Sequence, residues 1–373
     1  MNTIKIDLNN KRQVEDFLHL PFSIYKDIPQ WVPALQTEER VRLNPQRHPF
    51  YKHSQAAFYI AYESNRAIGR LAVLDNLHYN EYNQESTAFF TLFECENNAE
   101  AANDLFSAAF DWARSRGLTQ IIGPKGFTPL DGFGLLVKGF EHRPAFGLPY
   151  NPSYYIDLIE AQGFTKHGEA VSGYIGTDTI FPERIHKLAE RIAKRRGLRI
   201  ASSNTRIELR TLIPHIRELY NASLDGTTGN TPLTDEEMSA LENQILWLAD
   251  PKLIKLVMKD KKAVGFLFAY PDISAALQKT KGNLFPFGWL TLLRELKNTD
   301  WININGAGLL PEYRGSGGTA ILYSEIFKSV RDSGKFKHAE VVQSGVENEA
   351  MQREMENFGI DLYKVHRTYA RGL

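Results

Sequence analysis

Cysteine is almost absent from this chain of 373 residues, since Cys95 is the only one. One cysteine excludes an intramolecular disulfide and suits a reducing compartment. Long apolar runs are lacking as well, because none approaches the roughly 20 residues that a membrane-spanning helix needs. The N-terminal residues are polar and do not predict a secretory signal. We therefore expect a cytoplasmic protein without a membrane partner.

An excess of charge of either sign is also lacking. Lysine plus arginine and aspartate plus glutamate each number 44, so no general positive field attracts nucleic acid. The ten histidines form no HExxH pattern and no Cys/His cluster, which predicts no metal site. No Gly-Lys-Ser/Thr triplet occurs, which excludes the nucleotide P-loop. The length and the 43% of hydrophobic residues are enough for two domains with packed cores.

The most informative segment is a glycine-rich turn within residues 309–322. Alternating apolar and polar residues at 301–305 predict a half-buried strand before it. Apolar residues recur every four positions after it, and Gly334 predicts the end of that helix. Glycines at such a turn leave backbone N–H groups free at the positive end of the helix dipole, where phosphate binds. Arg314 adds a permanent charge and a bidentate donor, so we expect a pyrophosphate here.

Two phosphate-binding patterns fit this turn. The dinucleotide fingerprint G-x-G-x-x-[GA] fits Gly315, Gly317 and Ala320, but it belongs early in its fold, with several strand–helix units after it. The acyl-CoA loop [RQ]-x-x-G-x-[GA] fits Arg314 and Gly317, with Thr319 as an imperfect third match. The surrounding Leu-x-Pro-Glu-Tyr-Arg-Gly context resembles this loop in the GNAT acyltransferases. A glycine-rich turn without a ligand is the plain alternative.

The residues after the turn resemble the same family. A predicted strand, a helix that opens at Asn348 and a final strand at 361–369 follow in the family order. The family segment N-x-x-A-x-x-x-Y-x-x-x-G-F can be aligned from Asn348 onwards, with Gly359 at its glycine. Met355 stands where many members carry a tyrosine acid, so that role is absent or moved.

The resemblance implies direct transfer of an acyl group from acetyl-CoA, or another acyl-CoA, to the amine of a small-molecule or peptide acceptor. By resemblance, the cofactor contacts are Leu309, Arg314, Gly315, Ser316, Gly317, Gly318, Thr319, Ala320 and Asn348. An amine with a pKa of about 10.4 must lose a proton before attack, so a base or a relay is required. The candidates for base, relay or acid are Glu340, Asn305 and Tyr363, with Asn303 beside them. Each of them is an ordinary strand residue in the plain interpretation.

An internal repeat predicts that the domain is duplicated. The predicted hairpin around Gly69 resembles the one around Gly265, which lies 196 residues later. Gly163 and Gly359 keep the same offset. The shared order of elements favours two tandem GNAT-like domains, each a mixed α/β sheet, over one long sheet.

The two copies differ where the cofactor would bind. We expect one domain at residues 1–178 and the other at 179–373. Residues 93–100 of the first copy hold three carboxylates and no glycine, which hinders close backbone approach and repels a pyrophosphate. The first copy is therefore expected to be degenerate, to bind no CoA and to complete the substrate cleft.

Several alternatives stay open. The glycine-rich segments 123–150 and 281–289 either line a binding cleft or cap the core. A basic helix ending at Gly197 is interpreted as a solvated linker, with RNA contact as its alternative. Tandem copies also occur in transferases that use aminoacyl-tRNA, although the intact Arg314 loop favours CoA. The last alternative is an acyl-CoA-binding sensor or scaffold without catalysis, which the imperfect match at Thr319 favours.

Overall fold

A computed structural model describes residues 1–176, 179, 181–224, 230–315, 317–345 and 349–373. The strands are β1 (Asn2–Lys5), β2 (Gln55–Glu63), β3 (Arg66–Asp75), β4 (Thr87–Cys95), β5 (Gln120–Gly123), β6 (Leu135–Lys138), β7 (Thr165–Ile175), β8 (Leu198–Ser202), β9 (Ile254–Lys259), β10 (Lys262–Pro271), β11 (Trp301–Leu309), β12 (His338–Gly345) and β13 (Asp361–Gly372). The α-helices are α1 (Lys11–Ile24), α2 (Gln36–Arg42), α3 (Leu77–Asn83), α4 (Ala99–Ser115), α5 (Tyr155–Glu160), α6 (Glu183–Arg196), α7 (Arg206–Leu224), α8 (Asp235–Leu248), α9 (Ser274–Thr280), α10 (Gly288–Asn298), α11 (Gly318–Ser333) and α12 (Glu349–Asn357).

The described strands form one continuous mixed sheet. Its order is β1-β2-β3-β4-β5-β13-β7-β12-β11-β10-β9-β8, and β6 pairs with β13 beside this path. β4 and β5 run parallel to each other, and so do β11 and β12. Each half therefore contains an antiparallel meander that ends in one parallel pair, and the two halves meet in the middle of the sheet.

The halves are joined by an exchange of their last strands. β13 pairs with β5 of the first half, where Tyr369 lies opposite Gly123. β7 pairs with β12 of the second half, where Tyr174 lies opposite Glu340. Since β7 and β13 also pair with each other, the strands of the two halves form one sheet. The expectation that each half has a sheet of its own is therefore wrong. The boundary after residue 178 stays a prediction.

The repeat is visible in the registers of the strands. Each of the two hairpins contains one extra residue directly before its glycine, Gly69 in the first half and Gly265 in the second. The next strand bulges in both halves, and a residue with positive φ lies in each bulge. These residues are Leu92 with a φ of 52° and Gly306 with a φ of 126°. A bulge bends its strand and redirects the side chains around it, so both copies bend at the equivalent place.

Apolar side chains cover both faces of the sheet. In the first half, α4 packs on one face through Phe106, and α1 packs on the opposite face through Phe17. In the second half, Leu322 and Ile326 of α11 contribute to a large core. The helix end predicted at Gly334 is confirmed, because this residue has a left-handed φ of 60° and follows the last turn of α11.

Candidate functional site

Strands β11 and β12 run side by side and then separate. Their parallel pairing ends at Ile304 and Val341. Beyond this point β11 bulges at Gly306 and stays paired with β10 as far as Leu309, whereas β12 stays paired with β7. The separation opens a wedge, along which one edge of β11 has no partner strand among the described residues. Backbone donors and acceptors on this edge can therefore bind an extended ligand.

The turn after β11 leads from the wedge to the N-terminus of α11. Gly315 and Gly317 have left-handed backbones, with φ of 64° and 83°. Gly317 is the N-cap of α11, and no described side chain caps this end of the helix. The first hydrogen bond of the helix runs from the N–H of Ile321 to the carbonyl of Gly317, so Thr319 and Ala320 have no N–H acceptor within the helix. These donors and the helix dipole suit an anion.

The glycines of the turn differ in the space around them. A Cβ atom at Gly317 would lie 2.2 Å from Cδ1 of Ile192, and one at Gly318 would lie 2.8 Å from Cδ2 of Leu309. No described atom lies within 4 Å of a Cβ built on Gly315. Helix α6 and strand β11 thus close one side of the turn, and the side of Gly315 is open to a ligand.

Arg314 is held beside the open side of the turn. Its Nη2 donates to the carbonyl oxygen of Ser223, in the last turn of α7, at 2.9 Å. Arg314 is exposed, and its permanent charge adds to the positive field at this end of the helix. Ser316 and Asn348, two further predicted cofactor contacts, lie outside the described residues.

Glu340 belongs to a buried ion pair. Its Oε1 and Oε2 lie 2.9 Å and 2.8 Å from Nζ of Lys364, which also donates to the carbonyl of Arg143 at 2.8 Å. Burial raises the pKa of Glu340, and the Lys364 charge opposes that rise. The nearby Tyr363 hydroxyl also lowers the pKa of the Glu340 carboxyl. Lys364 thus engages both carboxylate oxygens of Glu340. Such a buried ion pair stabilises the packing of β12 and β13.

The structure brings Tyr363 to Glu340 but puts Asn305 elsewhere. Burial raises the pKa of Tyr363, and the neighbouring Glu340 raises it further, so the phenol stays protonated. Asn305 is exposed in the bulge of β11, at the edge of the wedge. Asn303 is buried and donates to Oδ1 of Asp272 at 2.8 Å. The catalytic roles of these residues stay predictions.

Asp272 is a buried acid that the sequence reasoning missed. Its carboxylate accepts from Oγ of Ser274 at 2.8 Å, from Nδ2 of Asn303 at 2.8 Å and from Nη2 of Arg143 at 3.1 Å. Arg143 belongs to the glycine-rich segment 123–150, so Asp272 ties this segment of the first half to the second half. An aspartate directly after the apolar strand β10 was the available signal.

A cavity of about 260 Å³ lies in the first half. It is bounded by α1, α2, the bulge of β4 and residues 124–150, so the long segment does line a cavity. Most of its wall is apolar, including Phe22, Trp31 and Leu148. An apolar wall with a few polar groups is typical of small-molecule sites.

The wall of the cavity contacts the separated end of β12. Phe133 lies between Gly132 and Gly134, which both line the cavity. The N–H of Phe133 donates to Oε1 of Gln343 at 3.2 Å, and Nε2 of Gln343 donates to its carbonyl at 2.5 Å. Gln343 comes two residues after Val341, at which β12 leaves β11. One loop therefore connects the cavity to the wedge.

One end of the cavity is ionic. Oε2 of Glu94 accepts from the hydroxyls of Tyr25 at 2.7 Å and Tyr155 at 2.8 Å. Nη2 of Arg70 lies 3.9 Å from Oε1 of Glu94 and 4.0 Å from Oε2 of Glu39, beyond hydrogen-bond distance. Arg70 is 4% exposed, and its Nε has no partner among the described residues. Burial raises the pKa of Glu94. This end of the cavity is therefore polar, and its buried guanidinium group lacks part of the hydrogen bonding that it needs.

The sequence reasoning also missed Arg70 as a cavity residue. The available signal was an arginine inside an apolar strand, at the position where the second hairpin has Phe266. Glu94 was counted among carboxylates that repel a pyrophosphate, and in the structure it lines the cavity instead. A charged residue in a buried strand position calls for a partner or a ligand.

The first half has no counterpart of the open turn. Residues 96–98 connect β4 to α4 directly, and Oδ1 of Asn98 accepts from the N–H of Ala101 at 3.0 Å. This side-chain cap satisfies one of the donors that a bound anion would need. That the first copy binds no CoA stays a prediction, and the short, capped connection gives it a physical reason.

Two curated proteins are similar to the chain over nearly its whole length. No protein-family profile matches the chain. The chain is 26% identical over 369 residues to Protein YghO of Escherichia coli (strain K12), which covers 97% of this chain and 93% of that protein. It is 28% identical over 381 aligned positions to the bacterial ceramide synthase of Caulobacter vibrioides (strain NA1000 / CB15N), covering 99% and 97%.

A solved structure shows the same duplicated architecture. The tandem GNAT protein from the clavulanic acid biosynthesis pathway matches with a TM-score of 0.58 and 10% identity, over 100% of this chain and 98% of that chain. The chain therefore has a tandem GNAT fold, and the fold predicted from the sequence is confirmed.

Proposed function

We propose that the protein is an acyl-CoA-dependent N-acyltransferase with one cofactor site, in its second half. The observation that carries the proposal is the glycine-opened N-terminus of α11, which no described side chain caps, at the end of a bulged strand that has left its neighbour. Such a site offers backbone donors for a pyrophosphate and a free strand edge for an extended arm. The GNAT fold supports acyl transfer as the class of reaction.

The residues of the turn fit an acyl-CoA. Backbone N–H groups from Gly315 to Ala320 would hold the pyrophosphate, and Arg314 would add charge beside the open side of the turn. The free edge of β11 up to Leu309 would receive the pantetheine arm, and Asn348 is a further proposed contact. The bound cofactor supplies an acyl thioester, whose thiol has a pKa of about 8.5 and leaves with little help. Acetyl-CoA is the proposed donor, because the fold of this chain is that of the GNAT acetyltransferases.

We propose that the cavity of the first half receives the amine acceptor. Four carboxylates line the cavity and outnumber its three guanidinium groups, which favours a cation; the acids are Glu38, Glu39, Glu94 and Asp131, and the arginines are Arg40, Arg42 and Arg70. An ammonium group would join the Tyr25 and Tyr155 hydroxyls on the Glu94 carboxylate, and a hydroxyl oxygen near Arg70 would give its Nε a partner, which it lacks among the described residues. The apolar wall suits a hydrocarbon chain. The relative named as a ceramide synthase supports a long-chain amine, since a ceramide is an N-acylated long-chain amino alcohol.

The proton on the acceptor has to leave before attack. We propose that Asn305, exposed at the wedge, orients a water that relays this proton. Glu340 keeps both oxygens on Lys364, so its proposed part is to position β12, with Tyr363 as its partner. The neutral amine would then attack the carbonyl of the acyl thioester, which a backbone N–H of β11 would polarise.

Thermal unfolding of the whole chain with and without acetyl-CoA tests the cofactor site. Gly315→Asp and Gly315→Asn are matched variants, because both residues tolerate a left-handed φ and the Cβ position is open. They differ in one charge. A carboxylate about 4 Å from a phosphate costs about 1 kcal/mol in water and about 4 kcal/mol near a protein surface. We expect Gly315→Asp to weaken acetyl-CoA by roughly tenfold or more, and Gly315→Asn to bind nearly as the native chain does.

The outcomes separate the alternatives. Ligand at about 100 times its Kd adds roughly 2.7 kcal/mol to the stability of the folded chain, which is a measurable shift in Tm. No shift of the native chain at millimolar acetyl-CoA would overturn the cofactor site and favour a transferase that uses aminoacyl-tRNA. A shift without thiol release over a broad panel of amines would instead favour the sensor or scaffold.

A further inference from the structure

Residues 283–293, which we call the docking segment, hold apolar side chains that the fold does not bury. The exposed ones are Phe285 (82%), Phe287 (72%), Trp289 (47%), Leu290 (39%) and Leu293 (52%). Single exposed hydrophobic residues are ordinary on a protein surface. Five within eleven residues are a local cluster of exposed apolar side chains, and a large exposed apolar surface marks an interaction site.

The docking segment lies in a connection that is much longer in the second half. β3 and β4 are connected by residues 76–86, which hold α3. β10 and β11 are connected by residues 272–300, which hold α9 in the place of α3 and then add α10. The first half shows that a sheet of this type closes without the added residues. The exposed apolar patch is therefore not a requirement of the fold.

Hydrogen bonds hold the docking segment in one shape. The N–H of Phe285 donates to Oδ1 of Asn283 at 3.1 Å, and Nε1 of Trp289 donates to the carbonyl of Pro286 at 3.0 Å. Leu292 faces the core from α10, so the helix is anchored on its inner side. The aromatic side chains are thus presented outward by an ordered turn and helix.

The charge around the docking segment is basic. Exposed cations flank it at Lys279, Lys281, Arg294 and Lys297. Glu295 is the acid in this stretch and lies 3.8 Å from Lys279. The whole chain has a net charge of zero, so this local excess of positive charge is a property of the patch. It complements an anionic surface.

The docking segment also adjoins the cavity. Gln36, which lines the cavity, donates its N–H to the carbonyl of Gly282 at 3.0 Å. Its Nε2 donates to the carbonyl of Lys281 at 2.9 Å. The wall of the cavity and the base of the docking segment are therefore one connected piece of structure.

We propose that the docking segment binds the surface of an anionic lipid bilayer. Its aromatic and leucine side chains enter the boundary between headgroups and acyl chains, and the four flanking cations contact the headgroups. Among the described residues, no helix has the length and apolar character to cross a bilayer, so the contact is at the surface. The proposal departs from the sequence-based expectation of no membrane partner.

Flotation of the whole chain with lipid vesicles tests the proposal without any cofactor or acceptor. The vesicles are phosphatidylcholine alone, or phosphatidylcholine with one quarter phosphatidylglycerol. The test variant is Phe285→Ser with Phe287→Ser, and the control is Trp247→Ser, a half-exposed aromatic on α8 and outside the docking segment. A second variant, Lys281→Glu with Lys297→Glu, tests the charge. All of these positions are exposed, so unchanged unfolding curves are expected and are measured for each variant.

We expect the native chain and Trp247→Ser to float with anionic vesicles, and binding to fall as salt is added. The double phenylalanine variant should bind roughly tenfold less or weaker still, and the double lysine variant should lose its preference for anionic vesicles. No flotation of the native chain, or equal flotation of the phenylalanine variant, would overturn the proposal. So would a native dimer that becomes a monomer in the phenylalanine variant, because a second copy would then cover the patch. Acetyl-CoA binding is measured separately, so either proposal can fail alone.

Discussion

Replacing Lys364 by methionine is expected to destabilise the joined sheet strongly. Lys364 on β13 and Glu340 on β12 lie on either side of β7, so their ion pair spans the exchanged strands. The two side chains are 1% and 2% exposed. Nζ of Lys364 makes two hydrogen bonds to Glu340 and one to the carbonyl of Arg143. Methionine keeps an unbranched side chain that is one atom shorter, and it removes all three hydrogen bonds.

The size of the effect follows from what is left behind. Removing one partner of a buried ion pair costs roughly 3–5 kcal/mol, because the other charge stays buried without compensation. We therefore expect a loss of about 3–4 kcal/mol in the free energy of unfolding. Adding Glu340→Gln removes the stranded charge, and the double variant should recover about half of that loss.

Urea unfolding followed by tryptophan fluorescence measures these changes in the native chain, both single variants and the double variant. The four measurements give the coupling energy of the pair. Lys166→Met is the matched control, because Nζ of Lys166 also lies 2.8 Å from a glutamate, Glu169, but is 54% exposed. An exposed pair should contribute about 1 kcal/mol or less. A loss for Lys364→Met no larger than that of the control would refute the reasoning.

Three further predictions follow from other sites. Gly317→Ala should lower the free energy of unfolding by at least about 1–2 kcal/mol in urea titrations, since it forces a left-handed backbone and a contact with Ile192. Burial lowers the pKa of His366 from 6.5 to about 4. As the pH drops from about 6.5 towards 4, the His366 imidazole is therefore protonated in the unfolded chain before it is protonated in the folded chain, and the stability falls. In His366→Gln the loss of unfolding free energy on acidification should be smaller by up to about 1.4 kcal/mol per pH unit. Urea unfolding at several pH values measures this difference. Glu94→Gln should raise the KM for an amine acceptor by roughly tenfold and leave the Kd of acetyl-CoA unchanged, unlike the exterior control Glu96→Gln; equal KM values would contradict an acceptor in the cavity.

The local parts of the candidate site follow from the sequence. The turn at Gly315 and Gly317, the start of α11 and its end at Gly334 were all predicted, and the structure has them at these residues. Turn chemistry and helix ends depend on a few neighbouring residues, because glycine reaches conformations that other residues avoid. The hairpins at Gly69 and Gly265 were predicted for the same reason, since their alternation and tight turns are local.

The ion pairs and the cavity could not be predicted in this way. Glu340 was a candidate base in the sequence, and its engagement by Lys364 depends on β7 lying between β12 and β13. Arg70 and Glu94 line one cavity although they belong to different strands, and α1 and residues 124–150 close it. Contacts between residues that are far apart in sequence are set by packing, and composition and periodicity do not record packing.

By itself the sequence determined a duplicated α/β chain with one glycine-opened turn, because repeats, periodicity and turn residues are written in neighbouring positions. Only the tertiary structure decided that the halves share one sheet through exchanged strands, and which charges meet in its interior. Any antiparallel strand of suitable length can pair with β5 or with β12, so local propensity does not choose between them. The choice is made by the side chains that each pairing buries, such as the Lys364 ammonium on the Glu340 carboxylate.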